Sequence, residues 1–176
     1  MMKRIALGLI LFAGVARAES PAVLRKEVVV AAPVADVWAA WSTSAGAQTF
    51  LAPRVDIELT PGGRYEVWFA PDAPAGQRGA EGLHVLAYVP SEMFAFEWSA
   101  PPAFPEIRKQ GASTFVVVQL ARVDARRTRV TLSHLGWGQG GDWDKVQAYF
   151  DKAWDVVLGR LVTRFARGKA IDFAKE

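Results

Sequence analysis

Trp143, Val146, Phe150, Trp154, Val157, Leu158, Leu161 and Phe165 recur at helical spacing near the end of the chain. They turn one side of a long helix into a broad aromatic and aliphatic stripe, which another layer has to cover. Upstream, only strand-patterned segments offer a surface of that size. The chain must therefore lay one long helix across a sheet, launched by the turn Gly136-Trp137-Gly138-Gln139-Gly140-Gly141. Rings of this bulk hold two layers apart at some points, so the same packing can enclose a small apolar cavity.

The rest of the chain supplies the sheet. Val23–Ala31 is rich in β-branched residues and ends at Ala32-Pro33, where Pro opens a helix over Pro33–Ser42 with Val34, Val37, Trp38 and Trp41 on one face. Ser44–Leu51 reads as a turn or short second helix. Arg54–Leu59 and Arg64–Phe69 form a hairpin about Thr60-Pro61-Gly62-Gly63, and Pro71–Gly79 is a loop. Gly82–Val89, Met93–Ser99, Thr114–Val123 and Arg129–Leu135 follow as strands, with a long Pro-containing loop at Ala100–Gly111. The pattern predicts about seven strands in a largely antiparallel sheet. Alternation sends Phe94, Phe96 and Trp98 to one face, and Val130, Leu132 and His134 to one face of their own strand.

Charge and targeting signals come before any reading of function. Lys3 and Arg4 precede the apolar run Ile5–Val15 and the small-x-small site Ala16-Arg17-Ala18, the pattern of a secretory signal peptide over residues 1–18. An uncleaved N-terminal anchor is the alternative. The expectation is a periplasmic or secreted protein cleaved near Ala18, with residues 19–22 as a tail, one domain over residues 23–172 and no stable membrane insertion. Three of the 21 basic side chains, Lys3, Arg4 and Arg17, lie in that leader and no acid does, so 18 bases face 18 acids in the remainder. The high pI thus belongs to the leader and leaves no electrostatic footprint for nucleic acid. With no Cys, disulfides, thiol nucleophiles and thiolate metal sites are excluded.

The motifs Ala32-Pro33 with Val37-Trp38 and Trp41, Pro61-Gly62-Gly63-Arg64, Gly82 leading to Val89-Pro90, Phe94-x-Phe96-x-Trp98, Thr128–His134 and Trp154–Leu161 occur in a characteristic order. In that order and spacing the chain resembles the START-like (SRPBCC) superfamily, closest to the branch of the heat-shock protein ATPase activator homologue, over nearly all of the chain after the leader. The resemblance implies an α+β helix-grip fold: a curved antiparallel sheet wrapped on a long C-terminal helix, with a short helical insertion after the first strand. It further implies a cavity between sheet and helix for lipids or other apolar molecules. The superfamily is functionally mixed, so fold alone does not assign an activity. At Ala47-Gln48-Thr49-Phe50-Leu51-Ala52-Pro53 the chain departs from a polar helix ending in a Trp pair, and the identity of a ligand does not carry over.

Chemical motifs are sparse. Gly136-x-Gly138-x-x-Gly141 matches a dinucleotide fingerprint formally, but no strand follows the helix to complete a βαβ unit. His84 and His134 are the two histidines, too few for a three-ligand zinc site without carboxylates at suitable spacing, so no metal and no cofactor is expected. His134, inward on its strand, is the weak candidate for a general base, with a structural role as the alternative. Ser133 and His134 lie on opposite strand faces and cannot pair as nucleophile and base. Cavity walls are expected from Phe96, Trp98, Phe115, Trp154 and Leu158, with Phe50 near the mouth, Tyr65 offering a hydroxyl and His134 a ring nitrogen. The leading expectation is a non-enzymatic carrier or sensor of a small apolar ligand. A cavity enzyme of cyclase or dehydratase type using His134, and a co-chaperone-like interaction domain, are the alternatives.

Overall fold

The computed structural model describes residues 22–109 and 114–175. The expected leader, residues 1–18, lies outside them. The elements run β1 (Leu24–Val30), α1 (Val34–Ser42), α2 (Ser44–Ala47), β2 (Arg54–Ile57), β3 (Arg64–Trp68), β4 (Gly79–Val89), β5 (Met93–Trp98), α3 (Pro105–Lys109), β6 (Thr114–Asp124), β7 (Arg127–Leu135) and α4 (Trp143–Arg167). The strands form one seven-stranded sheet in the order β1-β7-β6-β5-β4-β3-β2, every neighbouring pair antiparallel. The seven antiparallel strands and the long closing helix are those the patterns anticipate, and together they make the α+β helix-grip architecture that the resemblance implies.

Two local details differ from expectation. Pro33 caps α1 from outside, with extended backbone at φ −59° and ψ 150°, instead of occupying its first turn. The loop after β5 contains the short helix α3, whose single buried residue Ile107 is too little apolar signal to read from sequence. Arg108 holds α3 to the sheet, donating to the carbonyls of Ala100 and Gly79 at 2.6 Å each and to Ser99 Oγ at 3.1 Å.

The core lies on the concave face. Trp41 from α1 and Phe50 after α2 meet edge to face at 4.9 Å, while Phe94, Phe96 and Tyr65 form a buried run across β5 and β3, with Tyr65 stacked on Phe96 at 4.1 Å. The α4 stripe completes it: Trp143, Val146, Phe150, Trp154, Val157, Leu158 and Leu161 are all buried. Side chains of this size each contribute about 1.5–3 kcal/mol on burial, which makes α4 the principal clamp on the sheet. Ion pairs also tie it to β1, where Lys26 reaches Asp151 at 2.8 Å and Asp155 at 2.9 Å. Those two hydrogen bonds, the one to Asp151 foremost, raise the Lys26 pKa above its ordinary value.

The launching turn is built on glycine. Gly136 has φ +85° and lies under the Phe115 ring, and any Cβ on Gly138 would run into the Trp143 indole. Among the described residues every strand pair is antiparallel, so the turn belongs to no βαβ unit and makes no dinucleotide geometry.

Candidate functional site

α4 rests on β1 and meets β7 and the end of β5 through Trp154, which touches His134 and Trp98, and a cleft lies between α4 and the β3–β4 hairpin. The β4 side of that cleft is irregular: Gly79 and Gly82 adopt positive φ and the pairing with β3 slips between Tyr65 and Val67. Small residues then face the gap from both sides, Gly79 and Ala80 on β4 and Ala153 on α4. What remains is a cleft of about 540 Å³, within the ~300–1,000 Å³ range of sites that take drug-sized molecules.

Trp98 forms its floor. It meets Phe69 edge to face at 6.4 Å and Trp154 at 5.1 Å, so three rings from β5, the β3–β4 loop and α4 line one continuous apolar surface. The α4 wall is Tyr149, Lys152, Ala153, Val156, Val157 and Arg160, a single helical face adjoining the buried stripe. Tyr149 and Val156 at its lip are 46% and 54% exposed, so the cleft opens to solvent. Pro101 and Pro102 close the far end.

The residues expected to wall a cavity separate into three groups. Trp98 and Trp154 line the cleft. Phe50, Tyr65, Phe96 and Leu158 are buried in the core away from it, because α1, α2 and β5 fill the centre of the space beneath α4 with their own rings. Phe115 is on the opposite face of the sheet, 36% exposed, with Thr114 and Val116 pointing inward on either side. Its assignment to the wall is corrected by the one-residue parity of a strand: an inward Thr114 forces Phe115 outward.

His134 is wholly buried, and both of its nitrogens are engaged. Thr114 Oγ1 donates its single proton to the Trp98 carbonyl at 3.0 Å, so it must accept from His134 Nε2–H at 2.7 Å. On the other side His134 Nδ1 accepts from Trp154 Nε1–H at 3.0 Å. The bonding assigns the neutral Nε2–H tautomer, and burial holds the imidazole pKa down to about 3. An imidazolium would aim a second N–H at the Trp154 N–H. The ring therefore ties α4 to β5, β6 and β7 and has no lone pair left for a substrate, which counts against a base at this position. Trp137 from the launching turn covers it at 4.1 Å and Phe150 at 4.8 Å.

Elsewhere His84 pairs with Glu97 across β4 and β5 at 2.8 Å on the outer face. Among the described residues no group of His, Asp and Glu side chains gathers closely enough to share a metal ion. No described helix is long and apolar enough to cross a membrane.

Sequence reading missed Phe69, Tyr149, Ala153 and Val156. Their signal was present in α4, where Tyr149, Ala153 and Val156 follow i, i+4, i+7 spacing beside the main stripe and widen it beyond what covering a sheet requires. Phe69 belongs to the end of a strand, where periodicity says little about direction.

Comparison with known proteins places this geometry in context. A search of curated proteins finds no match. Among solved structures, protein MLL2253 from Mesorhizobium loti superposes with a TM-score of 0.66 at 16% identity, covering 83% of this chain and 98% of its own. The Aha1 dimer from Colwellia psychrerythraea gives 0.60 at 16% identity over 82% and 96% of the two chains. The AHSA1-like protein RHE_CH02687 from Rhizobium etli gives 0.57 at 23% identity over 84% and 83%. At these identities the likeness is one of fold. The profile of the family described as Activator of Hsp90 ATPase homolog 1-like protein matches residues 31–166, spanning the fold from the end of β1 to the last turn of α4. The chain belongs to the Activator of Hsp90 ATPase homolog 1-like family.

Proposed function

We propose that the protein is a carrier or sensor that holds a small apolar molecule in the cleft between α4 and the β3–β4 hairpin. The observation that carries this reading is the apolar cleft itself, where exposed Phe69, Tyr149 and Val156 surround a floor and wall built on the buried rings of Trp98 and Trp154. Burying such a surface against a ligand contributes about 25 cal/mol per Å² of apolar area, less the cost of immobilising the guest. His134, locked in its relay, supports binding over catalysis. The charged start, short apolar run and Ala16-Arg17-Ala18 of residues 1–18 support export to the periplasm or medium, which intact mass measurement of the protein from its host would test.

The test is a titration with the neutral fluorophore N-phenylnaphthylamine. The native protein is expected to give saturable fluorescence enhancement, and Ala153→Trp, which places an indole in the cleft, to weaken it at least about tenfold with the unfolding midpoint little changed. Equal affinity in the two proteins, or no enhancement in either, would refute the reading.

A further inference from the structure

The walls of the cleft carry three cationic side chains, Arg78, Lys152 and Arg160, and no carboxylate. That imbalance is local, since the chain beyond residue 18 has equal numbers of acids and bases. It follows from how α4 is partitioned. Asp151 and Asp155 turn toward Lys26 on β1, while Lys152 and Arg160 fall on the face that lines the cleft.

The three cations are not equivalent. Arg78 is committed to the protein: its guanidinium lies over Trp68 at 4.5 Å, donates to the Ala73 carbonyl at 3.1 Å and faces Glu81 at 3.9 Å. Arg160 is engaged too, its guanidinium lying over the Phe173 ring at 5.2 Å. Lys152 is exposed and makes no ion pair or hydrogen bond with any described residue. It lines the cleft one helical turn from Tyr149 and from Val156, the exposed residues of the lip. A cation beside an apolar floor, with no acid among the lining residues to offset it, attracts a negative group more strongly than one in open water.

Building on the proposed binding role, we infer that the ligand is an amphipathic anion, an apolar body carrying a single carboxylate. The body lies against Trp98, Phe69 and Trp154, and the carboxylate meets Lys152 beside the lip.

Laurate, lauryl alcohol and laurylamine, each below its micelle concentration, share one tail and differ in head-group charge. Calorimetric titration is expected to rank them in that order, with laurate about tenfold tighter than the alcohol. Lys152→Glu is expected to weaken laurate about tenfold more than it weakens the alcohol, and Lys152→Arg to restore the preference. Equal affinity for laurate and the alcohol, or a preference that survives Lys152→Glu, overturns the anion while leaving an apolar site in place. Failure of all three to bind, together with failure of N-phenylnaphthylamine, overturns both the anion and the site.

Discussion

Replacing His134 by Gln should make the protein less sensitive to acid, although it alters a buried residue. The folded state holds the imidazole neutral, with its pKa down to about 3, against 6.5 for an unperturbed histidine. Because the folded value is depressed, the unfolded chain binds the proton first. Stability is therefore fully present above about pH 6.5 and declines as pH falls from there toward the folded value. Each pH unit in that window costs about 1.4 kcal/mol, so acidification from neutrality to about pH 5 should remove about 2 kcal/mol through this one group. Continuing to about pH 3 would raise the loss to about 4 kcal/mol, a large share of the ~5–15 kcal/mol by which domains are stable. Gln can donate to Thr114 and accept from Trp154 as His134 does, but it does not titrate. Urea unfolding followed by tryptophan fluorescence, at neutrality and at about pH 5, gives four stabilities. The native protein should lose about 2 kcal/mol more than the variant between the two conditions. Parallel losses would refute the assignment, since other acid-sensitive groups, Asp124 with its lowered pKa included, are common to both proteins.

Two further outcomes are expected. Tyr65 is fully buried, its phenol pKa pushed well above the usual value by desolvation, and its hydroxyl has no partner among the described residues; Tyr65→Phe should therefore be neutral or stabilising by up to about 1 kcal/mol in urea unfolding, and a loss beyond that would show the hydroxyl to be bonded. Lys26→Met removes both ion pairs to α4 and should cost about 0.5–1 kcal/mol at low salt, with the difference from the native protein shrinking as ionic strength rises.

Where periodicity was strong, the sequence located the elements. The stripe from Trp143 to Leu161 is buried in the structure, and the hairpin at Pro61-Gly62-Gly63 forms with Gly62 at φ +79°. Missed elements were those with little apolar content, α3 above all. Candidate-site residues were harder to place, because aromatic character alone does not say which gap a ring borders. Trp98 and Trp154 reach the cleft, but Phe96, two residues from Trp98 and on the same strand face, is sealed under Tyr65.

By itself the sequence determined that a long aromatic helix must close on an antiparallel sheet, and which face of each strand that helix would meet. Those properties follow from backbone periods of 3.6 and 2, which every window of the chain displays locally. Only the tertiary structure decided that the space under the helix is filled at its centre and open at one end. The hollow is lined by Gly79 and Ala80 on β4 and by Ala153 on a helix distant in sequence, a meeting that no local window encodes. It also decided the state of His134, because a tautomer is set by partners from β6 and α4 together and no spacing along one strand encodes them.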